Sequence, residues 1–270
     1  MPYAAVNGVN LYYEIHGNGP NLVLIEGTGY DLWMWYRQMP AFSRHFRTLI
    51  YDNRGAGRSD KPAGPYSHAM NAADLAGLLD FLKWERSHIL GVSMGGFIAQ
   101  QFALDYPGHV EKLVLVATGF GGPNMVPVPL EAVQAMTPNP TLPPADRIRQ
   151  AMPLAFASKD WPERNREEFD RIVAWRMQYP PTAESAMAQI MAQMTFNVEK
   201  RLSAITAPTL VIAGADDHVV PPENANLLAA AIPMSTLDII PGAGHLVFIE
   251  KADRFNQDVL QFLLGTGNSM

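Results

Sequence analysis

The sequence predicts an α/β fold, a mostly parallel eight-stranded sheet flanked by helices and interrupted by a helical insertion. Three observations predict it. Short, almost wholly apolar runs alternate with amphipathic stretches of helical length, as parallel βαβ units require. The alternation stops near Gly119 and returns at Thr209. At 270 residues, 48% hydrophobic and 17% charged, the chain suits one large core with an insertion better than two independent domains.

In chain order, residues 3–6 and 9–15 read as strands joined by Asn7-Gly8, a signal for a tight type I′ turn. After the break Gly17-Asn18-Gly19-Pro20, residues 21–25 look like a buried strand. Residues 33–42 carry helical spacing, 48–51 form a strand, and 70–83 a helix with Leu75, Leu78, Leu79 and Leu82 on it. Strands at 89–92 and 113–117 flank a helix at 95–105. Segments 146–157, 164–177 and 183–195 are helix-prone, and no strand is expected between 121 and 198. The rhythm resumes with strand 209–213, helix 223–231, strand 236–240 and helix 246–264. The expected organisation is a core from 1–120 and 199–270, with a helical cap at 121–198.

The cap holds seven of the fourteen methionines. Met187, Ile190, Met191 and Met194 fall at i, i+3, i+4 and i+7 and share one helix face. That face is expected to pack the cap onto the core; a pliable apolar lining for substrate, with Met187 and Met191 in it, is the second reading.

Composition excludes several roles. The net charge is −6 and no basic block stands out, so nucleic acid is not an expected partner. No run reaches the length of a membrane span, and the first ten residues lack the features of a secretory leader. The expectation is a cytoplasmic protein, with a homodimer left open. Cysteine is absent, which removes thiolate catalysis and thiolate-bound zinc. No metal or organic cofactor is expected.

The chemistry centres on Gly91-Val92-Ser93-Met94-Gly95-Gly96, placed where a strand gives way to a helix. A nucleophilic serine there occupies a sharp, strained turn that tolerates only small neighbours. Serine needs a base within reach. Of seven histidines, His245 follows the last strand in Pro241-Gly242-Ala243-Gly244-His245, which returns it to the sheet edge that bears Ser93. The base needs a carboxylate to hold its tautomer. Gly214-Ala215-Asp216-Asp217 ends the penultimate strand and offers either aspartate.

Over nearly its whole length the chain resembles the α/β-hydrolase superfamily, and most of all its small esterase, enol-lactonase and cofactor-free haloperoxidase group. The resemblance rests on Gly91-x-Ser93-x-Gly95-Gly96, Tyr51-Asp52-Asn53-Arg54-Gly55-x-Gly57-x-Ser59, Gly214-x-x-Asp217-x-x-x-Pro221 and Gly242-x-Gly244-His245. It implies Asp217 over Asp216 as the acid, and an oxyanion hole from the backbone N–H groups of Met94 and Thr28. It also marks a departure, because Glu26 stands where the group carries histidine. An ionised carboxylate there would oppose transition-state charge, so Glu26 is expected to turn away onto a neighbouring loop or to help bind substrate. Asp52, Asn53 and Arg54 read as loop-fixing groups, and Trp33 borders the expected pocket.

The implied function is a serine carboxylic-ester hydrolase that forms an acyl-enzyme from small apolar esters or lactones, including acyl-homoserine lactones. Dehalogenases and epoxide hydrolases of this fold use an aspartate nucleophile, which Ser93 excludes. Carbon–carbon bond hydrolysis, proline-type aminopeptidase activity and a non-catalytic ligand-binding role are the alternatives.

Overall fold

The computed structural model describes residues 2–136, 139 and 141–265. Within them, β1 (Tyr3–Val6), β2 (Val9–His16), β3 (Asn21–Ile25), β4 (Arg47–Tyr51), β5 (Ser87–Val92), β6 (Val110–Val116), β7 (Thr209–Gly214) and β8 (Ser235–Ile240) form one sheet. Its order is β1-β2-β4-β3-β5-β6-β7-β8. Strands β1 and β2 pair antiparallel, as do β2 and β4; every other pairing is parallel. Asn7 and Gly8 both take positive φ, 47° and 77°, as a type I′ turn requires.

In chain order the helices begin with α1 (Met39–Phe42), α2 (His68–Leu82) and α3 (Met94–Asp105). Then α4 (Leu130–Met136), α5 (Pro144–Ala151), α6 (Trp161–Arg164), α7 (Arg166–Gln178) and α8 (Ala183–Met194) lie between β6 and β7. The chain closes with α9 (Glu223–Ala231), α10 (Val247–Glu250) and α11 (Ala252–Leu264). Alternation along the central strands divides the core in two, because successive side chains point to opposite faces. Ile89, Leu113 and Val211 pack with Leu75, Leu79, Ile98 and Phe102 of α2 and α3. Leu90, Val114 and Ile212 pack on the other face with Phe248, Phe255 and Val259 near the C-terminus.

Several helices are shorter than the periodicity predicts, and proline accounts for two of the breaks. The stretch 33–42 divides into a 3₁₀ turn, Leu32–Trp35, and α1, which carries Pro40 in its first turn. The stretch 146–157 ends as α5 plus a 3₁₀ turn at Met152–Ala155, where Pro153 supplies no N–H for a continuing helix. Helix α4 has no counterpart among the expected elements. No helix among the described residues is long and apolar enough to cross a membrane.

Because β3, β5, β7 and β8 run parallel, the loops that follow them emerge along one edge of the sheet. That edge is where open α/β sheets carry their sites.

Candidate active site

The site begins at the β5–α3 junction. Ser93 sits at φ 55°, ψ −118°, a backbone region that disfavours any residue with a Cβ. The conformation is held from several sides. Ser93 N–H donates to Val116 O at 2.9 Å, while its carbonyl accepts from Thr118 Oγ1 at 2.8 Å and from Gly96 N–H at 2.9 Å. A Cβ at Gly91 would collide with the Gly95 carbonyl, and one at Gly95 with the Ile25 carbonyl. The glycines of the motif are therefore explained by close backbone approach. They let α3 start directly against the ends of β3 and β5.

Asp216 and Asp217 part company once the chain is folded. Asp216 is exposed, whereas Asp217 is 5% exposed and its Oδ2 accepts from His245 Nδ1 at 2.9 Å. The other oxygen, Oδ1, accepts from the N–H groups of Val219 and Val220, both at 2.8 Å. A carboxylate fixed on three donors holds the imidazole ring in place. It also assigns the ring proton to Nδ1 and leaves Nε2 as the acceptor. The His245 loop is tied down by Gly244 N–H on Glu250 Oε2 at 2.7 Å and by Asp216 N–H on Ala243 O at 2.9 Å. The structure thus joins His245 to Asp217. Among the described residues no hydrogen bond joins Ser93 to His245, and such contacts often tighten only when substrate binds.

The loop after β3 lies against this junction: a Cβ built at Gly27 would stand 3.4 Å from Ser93 Cβ. None of the hydrogen bonds of the described residues uses the backbone N–H of Thr28 or of Met94. Met94 opens α3, where N–H groups have no acceptor within the helix. Two N–H groups from separate elements are therefore unclaimed beside the serine.

Glu26 is wholly buried. Its Oε1 accepts from the Asn53 backbone N–H at 2.7 Å and from Asn53 Nδ2 at 3.2 Å, while Oε2 has no hydrogen-bond partner among the described residues. Of the two expectations for this residue, the geometry realises the contact to a neighbouring loop. Burial, reinforced by the nearby Asp52 carboxyl, holds the Glu26 carboxyl well above its ordinary range, against the opposing pull of the Asn53 N–H. The shift favours the neutral acid at this position, which lessens the conflict with an oxyanion.

A consequence for stability follows. An acid whose folded pKa is raised costs stability as pH climbs above its ordinary value near 4.5. The loss accumulates at about 1.4 kcal/mol per pH unit until the folded value is reached. Glu26→Gln keeps an acceptor for Asn53 and does not ionise. Its Tm relative to wild type is expected to rise between pH 5 and pH 8, with kcat at pH 7 within about threefold of wild type. Thermal melts and steady-state kinetics at the two pH values check this, and a pH-independent difference in Tm would mean that Glu26 is ionised in the fold.

Asp52, Asn53 and Arg54 fix loops. Asp52 accepts from Leu32 N–H at 2.9 Å and Arg58 N–H at 2.7 Å, and burial raises its pKa to about 6. Arg54 forms a buried two-point ion pair with Asp74, at 2.5 and 2.7 Å.

The expectation for the methionine face is corrected by the structure. Met187 and Met191, at 57% and 48% exposed, turn to solvent together with Ile190 and Met194. The buried side of α8 is Ser185, Ala188, Gln189 and Ala192. Small residues win there because they let the helix approach closely: Ala188 and Ala192 pack on Tyr66, and Gln189 Nε2 reaches Arg54 O at 3.4 Å. Trp33 does meet the cap, its ring stacked on Trp175 of α7 at 5.6 Å between centroids. Nearby, Tyr36 and Arg37 both bond Glu168 of α7. Sequence reasoning missed Trp175 and Arg176, since nothing local distinguishes them from other residues of an amphipathic helix. Among the described residues no group of three or more His, Asp or Glu side chains is arranged to hold a metal ion.

Comparison with known proteins places this geometry. Residues 20–252 match the family model described as alpha/beta hydrolase fold. A 2-hydroxy-6-oxononadienedioate/2-hydroxy-6-oxononatrienedioate hydrolase of Paraburkholderia phymatum is 35% identical over 265 residues, covering 94% of this chain and 91% of that one. The solved enol-lactonase of Burkholderia xenovorans LB400 superposes with a TM-score of 0.83 at 34% identity, over 97% of this chain and all of the other. Est816, described as an N-acyl homoserine lactone degrading enzyme, superposes with a TM-score of 0.81 at 31% identity, again over 97% of this chain and 100% of that one. A strand-to-helix serine, a buried acid–histidine pair on the same sheet edge and these full-length similarities lead to one conclusion: the chain belongs to the alpha/beta hydrolase fold family, as a serine hydrolase related to small esterases, lactonases and meta-cleavage hydrolases.

Proposed function

We propose that the protein hydrolyses small carboxylic esters and lactones through an acyl-enzyme. Ser93 Oγ attacks the carbonyl carbon, and His245 Nε2 takes its proton. Asp217 keeps His245 in the accepting tautomer and stabilises the imidazolium that forms. The N–H groups of Met94 and Thr28 receive the oxyanion; each such donor is worth about 10²–10³ in rate. The imidazolium then protonates the leaving alkoxide, and a water activated by His245 releases the acyl group. In a lactone, the leaving alkoxide stays attached to the acyl part.

The observation that carries this reading is the Asp217–His245 hydrogen bond on the sheet edge that presents Ser93. Similarity to an enol-lactonase and to an N-acyl homoserine lactone degrading enzyme favours esters and lactones. Carbon–carbon bond hydrolysis is the second reading, favoured by the 35% identity to the dienedioate hydrolase. An aminopeptidase has less support, because Glu168 of the cap is already committed to Arg37 and Tyr36.

A panel of p-nitrophenyl esters of graded acyl length, run beside a set of lactones, tests the proposal. The expected result is turnover with a rapid initial burst of p-nitrophenol when deacylation is slower than acylation. Absence of turnover across both sets, with activity on a vinylogous 1,5-diketone, would instead select the carbon–carbon reading.

A further inference from the structure

The backbone on both sides of His245 is held by the insertion between β6 and β7. After the histidine, Leu246 N–H donates to Ala155 O at 3.0 Å. Before it, Gly244 N–H donates to Glu250 Oε2 at 2.7 Å, while Ala157 N–H donates to Glu250 Oε1 at 3.0 Å. One carboxylate thus bridges the loop of the base to a residue 93 positions away in the chain. Glu250 is half-buried and closes α10. Both of its oxygens accept from backbone donors, an arrangement that suits a carboxylate and not an amide.

The segments approach one another closely. A Cβ built at Gly244 would stand 2.5 Å from Ala157 N and from the Phe156 carbonyl carbon. A Cβ at Gly214 would stand 2.2 Å from Ala243 O and 2.3 Å from Gly244 O. The His245 loop is therefore pressed between the end of β7, which leads to Asp217, and residues 155–157 of the insertion. Those residues are anchored in turn: Phe156 is wholly buried and stacks on Trp161 with ring centroids 4.0 Å apart. Asp217 fixes the ring through Nδ1, but where Nε2 stands depends also on the backbone that carries the ring. A misplacement of about 1 Å at a reacting group can cost about 10²-fold in rate.

We propose that Glu250 is a positioning residue for the general base. It clasps the insertion to the His245 loop, so that Nε2 stands in its working place only while residues 155–157 are docked. This rests on the assignment of His245 as base in the reading above. Movement of the insertion then reaches the base through one carboxylate.

Glu250→Gln keeps the size of the side chain but turns one acceptor into a donor that faces an N–H group. Measured well below its Tm on the best ester of the panel, kcat is expected to fall by about 10–100-fold, with KM within about threefold of wild type. The low-field proton resonance of His245 Nδ1–H, held on Asp217, should broaden or disappear as the loop loosens. Amide exchange should quicken at residues 155–157 and 243–246 and stay unchanged in β5. From the other side of the clasp, Trp161→Leu removes the ring stacked on Phe156 and is expected to lower kcat by about fivefold or more. Unchanged kcat and an unchanged resonance in Glu250→Gln, with only a lower Tm, would overturn the proposal by leaving Glu250 a purely structural part. Faster exchange at 155–157 in Trp161→Leu without loss of kcat would overturn the coupling to the insertion. If the wild type hydrolyses none of the esters, the ester reading fails, while the resonance and the exchange pattern of Glu250→Gln still decide the clasp.

Discussion

Replacing Ser93 with alanine is expected to lower kcat on p-nitrophenyl esters by about 10⁴–10⁶-fold and to abolish the burst. The size follows from the role assigned to Oγ: without it no covalent intermediate forms, and only binding and the two N–H donors remain to help water attack. The substitution should leave the fold intact. The positive φ at position 93 is held by three backbone-centred hydrogen bonds that alanine keeps, to Val116, Thr118 and Gly96. Alanine bears the same Cβ, so the strain of the turn, about 1–3 kcal/mol, is unchanged. A Tm close to wild type together with the loss of activity checks both halves of the expectation. Retention of more than about a hundredth of the rate would remove Ser93 from the mechanism.

Asp217→Asn is expected to lower kcat by about 10⁴-fold, and Asp216→Asn by less than twofold. Asp217 Oδ1 is occupied by the N–H groups of Val219 and Val220, so an asparagine must place its carbonyl there. Its amide NH₂ then faces His245 Nδ1, now forced to act as acceptor. The ring proton moves to Nε2, the atom that must take the proton from serine, and general-base catalysis fails. The side chain of Asp216 is exposed, and its backbone N–H donates to Ala243 O, a bond that asparagine preserves. Steady-state kinetics of the two single variants decide the matter. A large loss in Asp216→Asn with little in Asp217→Asn would reverse the assignment.

The strand segments and the Asn7-Gly8 turn were legible because their signals are local: apolar runs of strand length and a dipeptide that accepts two positive φ angles. The strand-to-helix turn at Ser93 was legible for the same reason, since glycines at 91 and 95 mark close backbone approach. Periodicity served less well in the cap. It grouped Met187, Ile190, Met191 and Met194 on one face of α8, and they do share it. Which face a helix buries is a separate matter, settled by the surface it meets. Here Tyr66 and the Arg54 backbone admit only small residues, so Ala188 and Ala192 go inward and the methionines outward. The contact of Arg176 with Tyr30 was missed because it joins a side chain to a ring from another segment.

The sequence by itself determined the parallel sheet, the position of Ser93 at a strand-to-helix turn and the loop that returns His245 to the same edge. Each is written in contiguous residues whose spacing and size constrain the backbone directly. The residues alone left Asp216 and Asp217 open and the family resemblance favoured Asp217; the tertiary structure supplied the physical reason, a contact with a histidine 28 residues away in the chain. Only the tertiary structure raised the pKa of Glu26, because the shift depends on burial and on Asp52, and neither is a property of the residue itself. Folding decided these points by fixing which groups lose water and which partners replace it.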